Sequence, residues 1–168
     1  MPIIRRATPQ DLPALLAMVQ GLALHHHDTP LVTMESLRRY MFGPVLWFHV
    51  LVAENDGPCL GYAALLPLAR LQHGQRGMDL HHLYVEQSAR RCGIGQALVT
   101  AALQHARGLG CSYLTVGASA GNDAAHRFYH RMGFADRPLE GRRFSLDLEV
   151  NDPTTAPSPP ATTARPGG

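Results

Sequence analysis

A chain of 168 residues with 45% hydrophobic and 17% charged content is long and apolar enough for one globular domain with a sizeable core. A net charge of +2 and a pI near 8.6, with 15 basic residues scattered along the chain, exclude a nucleic-acid-binding stripe. No apolar run approaches the roughly 18 residues that span a bilayer, so neither a membrane nor a nucleic acid is expected as partner.

Ile3 to Ala7 reads as a short apolar strand. "ATPQDL" then offers Thr8 as N-cap, Pro9 at the first helical position and Asp11 in the first turn. A helix from Pro9 to Leu24 follows, with Leu12, Leu15, Leu16, Val19, Leu22 and Ala23 on one face. After the "HHHDTP" loop, Thr33 caps a second short helix to Met41. "WFHVLVAE", "NDG" and "PCLGYAALLPLA" form an antiparallel hairpin, with Asn55, Asp56 and Gly57 as its turn.

"MDLHHLYV", 78–85, is a further strand; strict alternation puts Leu80, His82 and Tyr84 on one face and Asp79, His81, Leu83 and Val85 on the other. A helix from Gly95 to Ala106 is ended by Gly108 and Gly110. "CSYLTVGAS" is apolar almost throughout and reads as a central strand. "GNDAAHRFYHRMGF" is a helix capped by Asn122 and stopped by Gly133, and "RRFSLDLEV" alternates as a last strand. From Asn151 the chain holds mostly Pro, Thr, Ala, Gly and Ser, so a domain over 1–150 with a disordered tail over 151–168 is expected. Cys59, Cys92 and Cys111 form neither a CxxC nor an even set, and the start of the chain has no secretory pattern, which favours a reducing cytoplasm.

The stretch "YVEQSARRCGIGQALV" carries the first chemical signal. A strand passing through glycines into a helix presents free backbone N–H groups and the positive end of the helix dipole, which together bind an anion. Gly93 and Gly95 keep side chains out of the way of a phosphate ester, although the same two glycines also suit a plain tight turn. A dinucleotide fingerprint would need a third glycine after Gly93-Ile94-Gly95-Gln96-Ala97-Leu98, and a P-loop would need Gly-Lys-Ser/Thr. Spacing alone leaves the phosphate carrier unnamed.

With Arg90, Gly93 and Gly95 matching Q/R-x-x-G-x-G/A, "LYVEQSARRCGIGQAL" resembles the coenzyme-A motif of the GNAT superfamily of N-acetyltransferases. "GNDAAHRFYHRMGF" resembles that family's N-x-x-A-x-x-F-Y-x-x-x-G-F helix at Asn122, Ala125, Phe128, Tyr129, Gly133 and Phe134. The resemblance covers roughly 3–150. It implies an α/β (α+β) GNAT fold, a central mixed, mostly antiparallel twisted sheet flanked by helices and splayed between its fourth and fifth strands. It also implies acetyl-CoA as cosubstrate and a homodimer.

In such proteins the backbone at Leu83, Tyr84 and Val85 pairs with the pantetheine arm. Arg90 belongs to the motif, and the amides of Arg91, Cys92, Gly93, Ile94, Gly95 and Gln96 hold the pyrophosphate. Asn122 fixes the pantetheine, Phe128 packs beside it, and Tyr129 protonates the leaving thiolate. On their residue types alone, Asn122 is also an ordinary N-cap and Phe128 an ordinary core side chain. The reaction implied is direct attack of a primary amine on the thioester, with no cysteine nucleophile, and Cys92 merely fills its turn.

An alkyl ammonium with a pKa of about 10.4 must lose a proton before it attacks, which costs several kcal/mol at neutral pH without a base. "RRATPQDLPALLAMVQGLA", "FHVLVAE" and "LHHLYV" resemble the diamine (spermidine/spermine-type) branch, which typically has two acids where this chain has His81 and His82. His25 and His26 likewise stand where Tyr and Glu are typical of that branch. His81 can accept a proton near pH 7, whereas clustered imidazoles repel a polycation when charged. The acceptor is therefore expected to be a less charged amine, or one bearing a carboxylate or phosphonate, with His25, His26 and His82 lining its site. His25 to His27 also fit a solvated loop, and one strand histidine also fits a buried, hydrogen-bonded position. His25, His26, His27, Asp28, His81 and His82 include metal-ligand types, but no metal is expected. Alternatives within the resemblance are a non-catalytic acyl-CoA sensor and an acetyltransferase acting on protein N-termini or lysines.

Overall fold

The computed structural model describes residues 2–25, 28–55, 57–137, 144 and 146. The chain divides after Ala135, and the architecture that follows is that of the first unit. Its strands are β1 (Ile3–Arg6), β2 (His49–Glu54), β3 (Cys59–Arg70), β4 (Gln75–Val85) and β5 (Tyr113–Val116). Its helices are α1 (Leu12–His25), α2 (Met34–Phe42), α3 (Ile94–Gly108) and α4 (Asp123–Arg131). His26, His27, Asp56 and the tail from Asn151 lie outside the described residues, as does the expected last strand at 142–150 apart from Phe144 and Leu146.

The sheet runs in chain order, antiparallel from β1 to β4 and parallel from β4 to β5. This is the mixed, mostly antiparallel sheet expected. The strand expected to be central, β5, is the last of the order among the described residues. Alternation along β2 and β3 divides the core into two layers. Leu51, Ala53, Ala63 and Leu65 face α3, whose Ile94, Leu98, Val99 and Ala102 are buried against them, and Phe128, Tyr129 and Met132 of α4 pack on the same side. Val52, Tyr62 and Ala64 face Leu12, Leu15 and Met18 of α1 and Leu37 and Met41 of α2.

The first helix begins with a 3-10 turn, Pro9–Asp11, before the α-helix starts at Leu12. Asp11 sits in the fold at 6% exposure and accepts from the Thr8 backbone at 2.7 Å and from Arg5 at 2.7 and 2.8 Å. Arg5 also donates to Glu54 of β2 at 2.6 and 2.9 Å. Hydrogen bonds from Arg5 hold the Asp11 carboxyl well below the usual carboxylate range. Across the sheet, His49 of β2 and His105 of α3 share a hydrogen bond of 3.0 Å, and desolvation lowers the proton affinity of both.

These shifts set the expected response to acid. A base whose folded pKa is lowered binds protons more readily when unfolded, so stability is full above about pH 6.5 and falls below it as the unfolded histidines charge. Asp11 acts in the same direction at lower pH: its contribution is present above about pH 4 and is lost as pH falls through its depressed folded value. Melting temperature should therefore fall in two stages on acidification. His105→Gln should shrink the first and Asp11→Asn the second; a melting temperature flat from pH 7 to 5 in the wild type refutes the histidine stage.

β4 departs from the expected alternation. Ala64 pairs with His82 and the next residue, Leu65, with Leu80, so His81 is the extra residue of a β-bulge. Met78 and Leu80 therefore face α3 together with Leu83 and Val85, while His82 and Tyr84 face the α1 side. Leu80 thus shares a face with Leu83 and Val85 and not with His82 and Tyr84. The bulge also overturns the placement of His81 and His82 on opposite faces, for their rings stack at 4.7 Å and 18°. The bulge falls where the sheet opens: the last rung between β4 and β5 is Leu80 with Val116, and among the described residues His82 to Val85 pair with β3 alone.

Candidate active site

The stretch of β4 without a β5 partner leads directly into the glycine turn. After the 3-10 turn Gln87–Ala89, the chain reverses through Arg91 at φ +63° and Gly93 at φ +78° and enters α3 at Ile94. The left-handed conformation at Gly93 is one that glycine adopts without a Cβ penalty. Among the described residues the backbone N–H groups of Arg91 to Gln96 have no backbone acceptor, the first amide of the turn to find one being Ala97, on Gly93. At Gly95 a Cβ would lie 3.7 Å from Phe128 and 3.9 Å from Val85, so the missing side chain keeps the space between α3, α4 and β4 open. That space is a cavity of about 710 Å³.

Of the residues expected to hold the cosubstrate, Val85, Arg90, Arg91, Gly93, Ile94, Gly95, Gln96 and Phe128 line this cavity. The Arg90 guanidinium also donates to the Val85 carbonyl at 3.0 Å, tying the turn to the end of β4. Leu83 packs its side chain in the α3 layer. Tyr84 turns to the α1 side, where its hydroxyl donates to Glu86 at 3.4 Å and lies close under Gly21 of α1. Cys92 is exposed, its thiol 3.6 Å from the Arg90 carbonyl. The Asn122 carboxamide oxygen accepts from the Ala125 amide at 3.0 Å as the cap of α4.

Tyr129 stands beside Phe128, wedged between it at 5.2 Å and Phe134 at 5.6 Å. Burial pushes its phenol up, which keeps the O–H protonated across the neutral range. Ala89, Ala124, Arg131 and Met132 also line the cavity and escaped the sequence reading. Ala124, Phe128, Arg131 and Met132 recur at helical spacing, so the face of α4 that carries Phe128 was the signal that could have found three of them.

On the α1 side of the opening lies a polar row. Asp79 Oδ2 is 3.6 Å from His81 Nδ1, and His81 stacks on His82. His82 Nδ1 is 3.1 Å from the Tyr62 hydroxyl, whose proton burial holds firmly. His25 ends α1, while His26 lies outside the described residues. Among the described residues no three His, Cys, Asp or Glu side chains come together as a metal site, and no helix is long and apolar enough to cross a membrane.

The sheet thus parts beside the glycine turn and its cavity, with His81 and His82 on the α1 side, while Tyr129 packs against the α3 layer next to the cavity-lining Phe128. The chain matches the Acetyltransferase (GNAT) family over residues 22–134 and belongs to it. It is an acetyltransferase, and its family uses acetyl-CoA as donor. It is 29% identical over 154 residues to the L-methionine sulfoximine/L-methionine sulfone acetyltransferase of Salmonella typhimurium, covering 88% of this chain and 90% of that one. It is 28% identical to the thialysine N-epsilon-acetyltransferase of Bos taurus, covering 80% and 84%. An uncharacterized N-acetyltransferase of Methanocaldococcus jannaschii is 30% identical over 82% of this chain and 80% of its own length. The fold is shared with an aminoglycoside acetyltransferase from an uncultured soil metagenomic sample, with a TM-score of 0.74 at 21% identity over 87% of this chain and 97% of that one.

Proposed function

We propose that this enzyme transfers the acetyl group of acetyl-CoA to the primary amine of a small molecule that also carries an anionic group, an α-amino acid being the favoured class. The observation that carries the acceptor class is the imidazole pair His81 and His82, stacked on the open stretch of β4. The diamine branch typically has acids there for a polycation; imidazoles tolerate a carboxylate and do not attract a second ammonium. Two relatives support the class by their names, since methionine sulfoximine, methionine sulfone and thialysine are all amines with a carboxylate. The thialysine enzyme also keeps the diamine-type resemblance in view.

Acetyl-CoA fits the residues present. The unpartnered amides of Arg91 to Gln96 and the cationic Arg90, Arg91 and Arg131 around the cavity suit its phosphates, and Phe128 suits its pantetheine. Bound there, it supplies an activated acyl carbon and a thiolate leaving group. His81, exposed at the opening, removes the ammonium proton, and Tyr129 gives its phenolic proton to the departing sulfur. His82, His25 and His26 line the acceptor side. A homodimer and a cytoplasmic location, the latter consistent with three free cysteines among the described residues, belong to the same proposal.

Thiol release measured over a panel of α-amino acids, diamines, spermidine and a lysine peptide tests the acceptor. Amines bearing a carboxylate should be turned over well and spermidine poorly; a strong, saturable preference for spermidine overturns the class and points to Asp79, Glu86 or Asp28 as a negative pocket. In the same assay His81→Ala should lower turnover about 10²-fold, the usual weight of a general base, with acetyl-CoA binding intact. His82→Ala should instead alter stability or acceptor preference.

A further inference from the structure

We propose that Asp79 is a positioning residue for His81, binding its Nδ1–H so that Nε2 is the ring nitrogen presented to the acceptor amine; this rests on His81 being the base of the proposed reaction. Asp79 is opposite Thr115 in the β4–β5 ladder, one rung before the sheet parts. The Thr115 hydroxyl donates to Asp79 Oδ1 at 3.1 Å, which leaves Oδ2 turned to His81, 3.6 Å from Nδ1. That separation is longer than a formed hydrogen bond, and catalytic hydrogen bonds commonly tighten to full strength only in the loaded site. His81 follows Asp79 by two residues and shares its face by ordinary alternation, and the bulge brings His82 onto that same face, where its ring stacks on His81.

The ring is held from its other sides as well. His82 stacks on it at 4.7 Å, and Phe48 meets it at 5.4 Å and 43°. Among the described residues the titratable groups against His81 are Asp79 and His82 on β4, with Tyr62 of β3 behind His82 at 3.1 Å. Glu86 is engaged by Tyr84 instead. A carboxylate opposite one ring nitrogen selects the tautomer with its proton there, frees the other nitrogen as acceptor, and stabilises the imidazolium once formed.

The proton balance follows. The acceptor ammonium gives one proton to His81 Nε2, which later returns it to water. The amine nitrogen forms its bond to the acyl carbon as the carbon–sulfur bond breaks. The sulfur takes the Tyr129 phenolic proton, and the second amine proton restores the phenol. Asp79 keeps its charge throughout.

Asp79→Asn tests the assignment, because Thr115 continues to donate to the amide oxygen and so turns the NH₂ group toward His81 Nδ1. That drives the His81 proton from Nδ1 to Nε2. ¹⁵N spectra of the imidazole should show the Nδ1–H form in the wild type and the Nε2–H form in Asp79→Asn. Turnover should fall about 10- to 100-fold, with acetyl-CoA affinity within about twofold and melting temperature unmoved. Thr115→Val, which loosens the carboxylate without removing it, should move both readouts the same way by a smaller step and serves also if Asp79→Asn folds poorly. An unchanged His81 tautomer in both variants, or undiminished turnover, overturns the role of Asp79. If His81→Ala is nearly inactive while Asp79→Asn keeps the wild-type tautomer, only this inference fails; a fully active His81→Ala removes the base assignment and this inference with it.

Discussion

Gly95→Val is expected to lower acetyl-CoA affinity by about 10²-fold or more, with the fold retained. A Cβ at this position makes only ordinary contacts with Phe128 and Val85, so the backbone tolerates it. The two methyl groups of valine, however, enter the cavity that those side chains leave open beside the free amides. Hydrogen bonds to a charged group contribute roughly 1.5–3 kcal/mol each, so holding the phosphates off two amides accounts for that loss. Gly93→Val should bind as poorly, but there the left-handed φ of +78° adds backbone strain, so its stability must be measured alongside. Arg38→Ala on α2 is the control with unchanged affinity. Calorimetry that finds wild-type affinity in both glycine variants removes the pyrophosphate from this turn.

Tyr129→Phe should reduce turnover by about 10² and leave acetyl-CoA affinity nearly unaltered. The substitution preserves the ring between Phe128 and Phe134 and deletes only the O–H. Burial raises the phenol's pKa, which suits a group that must hold its proton until a thiolate needs it. Unaffected turnover, measured at saturating donor, means that water protonates the sulfur and Tyr129 is packing alone.

The glycine turn, α4 and the order of strands and helices were legible because each is a local pattern: a cap, a period or a breaker fixes it within about a dozen residues. Arg90, Gly93, Gly95 and Phe128 fell at the cavity for that reason. What the chain did not disclose was long-range. His82 meets Tyr62 twenty positions away, and Asp79 meets Thr115 thirty-six away, and neither pairing has a signature in either segment. The error on β4 had a sharper cause. Period-two alternation is reliable only while the ladder is regular, and one bulged residue reverses the face of everything beyond it. Leu80 and Leu83, three apart, were therefore assigned to opposite faces although both pack toward α3.

That single surplus residue also bears on how such a site is gained or lost over generations. On β3 the partners of Leu80 and His82 are already adjacent, so a chain lacking position 81 would pair with β3 exactly as this one does. The core alternation would become regular, and nothing in the ladder would report the loss. Yet the bulge supplies the local twist at the point where β5 departs, and it supplies His81. Deletion of residue 81 is therefore expected to leave the β3 register and the buried layer in place while removing His81 and its bulge from the opening, a loss that turnover would report and a melting curve would not.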